Sequence, residues 1–430
     1  RGVRAMMTAI LFLLLALLFA LNTPIAVAIG ASTAAAFLIK GDANMMLVAQ
    51  RMYGGADSFP LMAVPLFMTA GVLMEAGGIS RRLVAFAESL VGWLPGGLAA
   101  VSIVSAMFFA GISGSAAADT AAVGAILIPA MVKNGYTRRY AGAVQAAAGS
   151  IGVIIPPSIP MIIFGVLTGA SIGKLFAAGI LPGLLMGFSL IVVALIIARR
   201  QSFTNRTPFA WATVWRTGKR AILALGAPLL ILGGILGGIF TATESAAVAV
   251  IYALIVGLAV YRELDLKALP RLFINASVTA SVIMFIITQA MVFSWFLTIE
   301  QIPQAIAGAV LGLTDNPLLL LLLINCVLLV AGTFLETTAA LILLVPVITP
   351  MLPALGIDIV QLGAIVVTNL AIGMLTPPMG VCLIVSCGLS KSSLTRISRS
   401  VLPFLAALLI NLVLITFWSP LTMWIPSMLD

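Results

Sequence analysis

The chain has 430 residues, of which 62% are hydrophobic and only 8% charged, against about 25% charged in an ordinary soluble domain. A soluble core cannot absorb that excess of apolar surface, so the composition defines an all-α polytopic membrane protein, with room for about ten to fourteen crossings of roughly 20 residues each. The absence of histidine excludes a Ser-His triad, a His-ligated metal and haem. The net charge of +9 sits in short loops between apolar runs, where it reports orientation and not a nucleic-acid partner.

In chain order, apolar runs cover 6–21, 24–39, 60–76, 97–130, 140–168, 175–198, 221–239, 243–261, 272–298, 318–350, 360–388 and 401–428. The chain opens on Arg and not Met, which points to a processed start. The first run has no small-residue cleavage site behind it and is read as a retained helix. Runs 97–130 and 318–350 are too long for one crossing and too short for two. Each carries a small, polar break: Gly111-Ile-Ser113-Gly114-Ser115 through Asp119, and Gly332-Thr333-Phe-Leu-Glu336-Thr337-Thr338. Re-entrant hairpins fit that length, provided their non-helical tips are buried in protein or line a wet cavity. Segments 81–93 and 302–313, each just before a hairpin, read as amphipathic arms in the membrane surface or as plain loop helices. Glu244 reads as part of a helix cap. The Gly233-Gly234/Gly237-Gly238 ladder reads as close helix packing, and Cys326, Cys382 and Cys387 as free, buried thiols.

With the two hairpins set aside, ten crossings remain, and all 22 basic residues fall on two sides. Seventeen lie on one: Arg81, Arg82, Lys133, Arg138, Arg139, Arg199, Arg200, Arg206, Arg216, Lys219, Arg220, Arg262, Lys267, Arg271, Lys391, Arg396 and Arg399. Arg1, Arg4, Lys40, Arg51 and Lys174 lie on the other. The richer side is expected to be cytoplasmic, which puts both termini outside.

The two halves share a skeleton. Asp119 and Glu336 each precede a proline (Pro129, Pro346) by ten residues. Gly152 and Gly373 each lie four before a proline pair, Pro156-Pro157 and Pro377-Pro378. The distance from Pro129 to Pro156 is 27, against 31 in the second half, so this register needs a four-residue insertion. The expected organisation is an inverted repeat of five spans plus one hairpin each, 1–198 and 221–430, joined by a linker at 199–220.

Paired prolines break a helix and free carbonyls, which in a bilayer need partners. Neighbouring helices could satisfy a simple kink. Alternatively, each break and the hairpin tip of its own half supply hard oxygen ligands for a small cation such as Na⁺. One such site uses Ser113, Gly114 and Ser115 with Gly152, Ile155 and Pro157. The other uses Gly332, Thr333, Thr337 and Thr338 with Gly373, Thr376 and Pro377. A carboxylate at membrane depth is functional by default, so Asp119 and Glu336 are candidates for substrate or ion coupling. Asp119 could equally cap the outgoing hairpin limb, whereas Glu336 has no cap-like context.

The stretch from Gly111 to Tyr136, Gly152–Ser158, and the runs Phe334–Thr338 and Asn369–Gly380 resemble the large membrane subunit of TRAP (tripartite ATP-independent periplasmic) transporters over essentially the whole chain. The resemblance implies an elevator-type, Na⁺-coupled importer of organic acids such as sialic acid or dicarboxylates, in a bacterial inner membrane. It also implies two partners, a small four-helix membrane subunit and a soluble periplasmic binding protein, and no cofactor beyond the coupling ion. By position it puts Ser113 and Gly152 in one sodium site and Gly332, Thr333 and Gly373 in the other. Ser115, Ser158 and Glu336 then border the substrate path between them. A stand-alone Na⁺/dicarboxylate carrier on the same plan needs no binding protein. An enzyme is disfavoured by the missing histidine and the lack of clustered carboxylates or cysteines, and a channel would need no pair of hairpins facing broken helices.

Overall fold

The computed structural model describes residues 2–41, 45–200, 208–312, 314 and 316–429. The readings that fall on Arg1, Leu313 and Asp430, and on residues 201–207 of the expected linker with Arg206, lie outside these. Among the described residues nine helices are long and apolar enough to cross a membrane. Six correspond to expected crossings: Phe59–Ala76, Ile172–Arg200, Trp211–Leu236, Ala242–Val260, Leu269–Ile299 and Leu394–Phe417. Three are limbs of the expected hairpins, Ala116–Lys133, Pro317–Phe334 and Thr337–Leu355. The other expected crossings are shorter apolar helical stretches (Met6–Ala20, Ile25–Lys40) or helices interrupted in mid-course.

The interruptions fall at the polar breaks. In the first hairpin, Gly97–Ser113 ends at Gly114, whose φ of 62° closes the helix in the left-handed region that glycine adopts without strain. Ser115 then caps Ala116–Lys133. In the second, Pro317–Phe334 passes through Leu335 to Glu336, which caps Thr337–Ile348. The two broken helices are Arg138–Ser150 followed by Ile159–Thr168, and Ile359–Gly373 followed by Val381–Ser390. Each break holds a cis bond between its paired prolines.

The helices pack in reciprocal sets. Ala63–Ala76 lies against Ala242–Ile255, and Ile25–Lys40 against Leu269–Ile299; Ile172–Arg200 meets Leu394–Phe417. The first half of each broken helix packs on the hairpin of its own half. The second half crosses over: Ile159–Thr168 lies on Thr337–Ile348, and Val381–Ser390 on Ala116–Lys133. The expectation that each break pairs only with its own hairpin is therefore half of the arrangement. One large core joins these elements. A smaller one ties the first two helices to the end of Leu269–Ile299 through Leu11, Ile29, Phe37, Phe293 and Phe296.

Several expectations are corrected. The last crossing begins at Leu394, seven residues before the apolar run, because an amphipathic turn carrying Arg396 and Arg399 continues the helix. It ends at Phe417, ahead of Ser419-Pro420. An unforeseen helix, Met45–Ala56, occupies a stretch too polar to register as a span. The Gly233–Gly238 ladder is a helix end and turn, not a packing seam: Gly237 caps the helix and Gly238 takes a φ of 68°. Of the three free thiols, Cys382 is buried but Cys326 is exposed. Thr241 caps Ala242–Ile255, and Glu244 closes the capping box, as expected for that acid. The arms are helices, Ile79–Val91 and Ile302–Leu311.

Candidate functional site

The tip of the first hairpin sits on the first break. The Ile159 backbone N–H donates to the Gly114 carbonyl at 3.4 Å, and a Cβ at Gly114 would lie 2.6 Å from the Pro157 carbonyl oxygen. Ser113 donates its hydroxyl to Asp119 Oδ1, and the Ser115 N–H donates to Ser113 Oγ at 3.2 Å. Asp119 is fully buried, and its Oδ2 has no hydrogen-bond partner among the described residues. That oxygen faces Gly152, where a Cβ would fall 2.1 Å from it. Sequence and structure thus agree on bringing Ser113, Gly114, Ser115, Gly152 and Pro157 together. Ile155 turns its side chain towards Gly183 on the helix Ile172–Arg200.

Asp119 is not the cap of the outgoing limb. Ser115 is, accepting from the Ala118 N–H, and Asp119 lies one turn further in, held by Ser113. Ser158 is fully buried and caps Ile159–Thr168, accepting from the Met161 N–H while donating to the Val153 carbonyl. Since Ile159 is bonded to Gly114, the capped N-termini of two helices lie side by side.

In the second site, Gly332 and Gly373 meet backbone to backbone; a Cβ on Gly373 would sit 2.6 Å from Gly332 Cα. Thr337, fully buried, donates to Met374 Sδ at 3.3 Å. Thr333 donates to the Leu329 carbonyl of its own helix, and Thr376, just past the end of Ile359–Gly373, donates to the Ile372 carbonyl. Glu336 corrects the expectation that it lacks a capping context. Its Oε2 accepts from the Thr338 N–H at 2.8 Å, and its Oε1 from the Thr338 hydroxyl at 3.2 Å. This also changes the register of the two halves. Measured from the caps, Pro156 and Pro377 lie the same 41 residues beyond Ser115 and Glu336. No insertion is needed between tip and break, and Asp119 and Glu336 are not equivalent. The two sites also differ in enclosure: Pro156 and Pro157 are buried, whereas Pro378 and Met379 are exposed.

Sequence reading missed a polar cluster behind the second tip. Asn369 donates to Asn325 Oδ1 at 2.6 Å, and Asn325 donates to Thr416 Oγ1 at 3.2 Å. The signal was available, because a lone Asn inside an apolar run such as 317–334 needs a buried partner.

Five of the basic residues assigned to opposite sides have partners in two separate clusters. Arg81 and Arg82 bind Glu263 beside Arg220 and Tyr261, while Lys40 binds Glu300 and Arg51 lies over Trp295.

These features define a multi-pass helical membrane protein with two hairpin tips set against two broken helices. Solved structures share the fold. The YdaH transporter of Alcanivorax borkumensis superposes with a TM-score of 0.62 at 17% identity, covering 86% of this chain and 87% of that one. MtrF of Neisseria gonorrhoeae, from a class of antimetabolite efflux pumps, gives 0.58 at 13% identity over 87% and 83%. Residues 12–421 match the family described as the DctM component of the tripartite ATP-independent periplasmic transporter, and the chain belongs to that family. It is a transporter permease and not an enzyme. The C4-dicarboxylate large permease DctM of Vibrio cholerae is 36% identical over 99% of this chain and 98% of its own length. The sialic acid large permease SiaM of the same organism is 40% identical over 92% and 93%. The isethionate permease DctMQ of Oleidesulfovibrio alaskensis is 42% identical over 95% of this chain, which spans 64% of that protein's length.

Proposed function

We propose that this permease imports an organic acid of the sialic acid or dicarboxylate type by sodium-coupled secondary transport. The observation that carries the reading is the reciprocal packing of two hairpins and two broken helices, each helix leaving one hairpin for the other at its proline pair. Reciprocal packing of two equivalent sets around discontinuous helices fits an inverted repeat, whose binding sites lie at the discontinuities. Ser113, Gly114, Ser115, Gly152, Ile155 and Pro157 supply one sodium site, with the open Asp119 oxygen as its anionic ligand. Gly332, Thr333, Thr337, Thr338, Gly373 and Thr376 supply the second.

The substrate lies between the tips. The adjacent helix N-termini capped by Ser115 and Ser158 present partial positive charge suited to a carboxylate, and Asp119 and Glu336 shape the two borders of that path. The hairpin-bearing block moves against the remaining helices as an elevator, with the arms Ile79–Val91 and Ile302–Leu311 at its margin. A small membrane subunit and a periplasmic binding protein complete the system in a bacterial inner membrane, with both termini periplasmic. Support for these partners comes from the tripartite family to which the chain belongs.

The test is uptake into proteoliposomes holding this chain and a small-subunit partner. Labelled sialic acid, a C4-dicarboxylate and isethionate would be compared, with and without an inward Na⁺ gradient and the binding protein. The expected result is uptake of one of the carboxylates that needs both. Uptake without the binding protein would favour a stand-alone carrier, and indifference to Na⁺ would remove the cation sites.

A further inference from the structure

Away from the hairpins, a cavity of about 460 Å³ opens between the arm Ile79–Val91, the helix Trp211–Leu236 and the end of Ala242–Val260. Its wall carries Arg81, Arg82, Lys219 and Arg220 against one carboxylate, Glu263. That carboxylate is already engaged, at 3.0 Å by Arg81 and 2.7 Å by Arg82. Arg82 is further fixed over the Tyr261 ring, 3.6 Å from its centroid, and Tyr261 donates to the Arg220 carbonyl at 2.9 Å. Lys219 and Arg220 are exposed and have no carboxylate partner among the described residues. The wall is therefore preorganised and keeps an excess of positive charge.

The depth of the cavity selects its occupant. Arg220 is the last cation before the apolar run that starts at Ala221, and Val260 ends its span. The cavity thus lies where two helices leave the apolar layer, at headgroup level. Trp211 and Trp215, 76% and 69% exposed, stand on the same helix, and Lys219 lies over Trp215; exposed Trp marks that level of a bilayer. Leu223 and Val260 give the cavity an apolar floor, which free phosphate would leave unused.

We infer that this cavity binds the phosphate headgroup of an anionic phospholipid, with Leu223 and Val260 receiving the start of its acyl chains. Arg81, Arg82, Lys219 and Arg220 recognise the charge, and Glu263 holds the first two in place. The site would anchor the arm Ile79–Val91 to the lipid at the basic face of the protein.

The test titrates the purified full chain in detergent with phosphatidylglycerol and with phosphatidylcholine, counting bound lipid by native mass spectrometry. The wild-type protein is expected to prefer phosphatidylglycerol. The K219Q/R220Q double variant removes the two unpaired charges and, at about five-fold per charge, is expected to bind phosphatidylglycerol roughly twenty-five-fold more weakly. Its phosphatidylcholine binding should not change. R396Q/R399Q, exposed basic positions outside the cavity, should behave as wild type. Equal affinity for the two lipids, or full phosphatidylglycerol binding by K219Q/R220Q, would overturn the proposal. Displacement of the lipid by millimolar glycerol phosphate would also overturn it, assigning the site to a free phosphate.

Discussion

Gly332 and Gly373 touch through their backbones: a Cβ on Gly373 would lie 2.6 Å from Gly332 Cα and 2.7 Å from its carbonyl carbon, and one on Gly332 would lie 3.1 Å from Gly373 Cα. The incoming limb of the second hairpin and the helix before the second proline pair are held at this distance by having no side chain between them. Backbone cannot swing aside as a side chain can, so a single methyl must push the two elements apart.

Gly373→Ala is therefore expected to destabilise the protein by about 1–3 kcal/mol, the range for overpacking a filled site, and to abolish uptake in proteoliposomes. Gly332→Ala, with the looser contact, should show the same effect at smaller amplitude. Thermal unfolding of the two variants beside wild type reads the order directly. Equal stability for all three would mean that the contact is not maintained in the membrane.

Asp119 tests the first cation site. Its buried Oδ2 has no partner among the described residues, while Oδ1 is taken by Ser113. If Na⁺ is the missing partner, replacing KCl by NaCl raises the unfolding temperature of wild type, since a ligand at 100 times its Kd stabilises by about 2.7 kcal/mol. Asp119→Asn and Ser113→Ala should remove most of that increment and lower uptake at least ten-fold. An unchanged Na⁺ increment in Asp119→Asn would take the carboxylate out of the site.

Glu336 separates capping from charge. Glu336→Ala deletes the acceptor for the Thr338 N–H and is expected to cost about 1 kcal/mol. Glu336→Gln keeps an oxygen at that position and should retain both stability and uptake. A glutamine variant that folds as well as wild type yet fails to transport would assign the negative charge itself to coupling.

The fold was legible to the extent that hydropathy and helix breakers carry it. Apolar runs located the crossings, and Gly114 and the two proline pairs located the discontinuities, because a missing donor or a positive φ leaves a mark in the residues themselves. What failed was register and partnership. Counting back from Pro129 and Pro346 equated Asp119 with Glu336, because a proline within a helix does not fix where that helix starts. The caps do, and Ser115 and Glu336 are chemically different residues performing the same task. The crossing of Ile159–Thr168 to the far hairpin was equally invisible, since its faces are apolar all round and name no partner.

The Asn325–Asn369 pair is the last test, because it links the second hairpin to the second broken helix without touching either proposed ion site. Asn369 donates to the side-chain and backbone oxygens of Asn325, at 2.6 and 3.0 Å, and Asn325 passes the network on to Leu321 and Thr416. Interhelical hydrogen bonds in membranes contribute about 0.6 kcal/mol on average and up to about 1.7. The bond to the Asn325 side-chain oxygen, buried and 2.6 Å long, is the one the two side chains share, and it belongs at the upper end. A cycle of Asn325→Leu, Asn369→Leu and the double variant should give a coupling energy of about 1–1.7 kcal/mol in reversible unfolding. The double variant should be more stable than the sum of the two single losses predicts, because Asn369→Leu leaves the buried Asn325 Oδ1 without its donor and Asn325→Leu leaves the Asn369 amide only the backbone carbonyl at position 325. If the network also fixes the hairpin against the helix as one block, the single variants lose uptake more steeply than stability, and the double recovers only the stability.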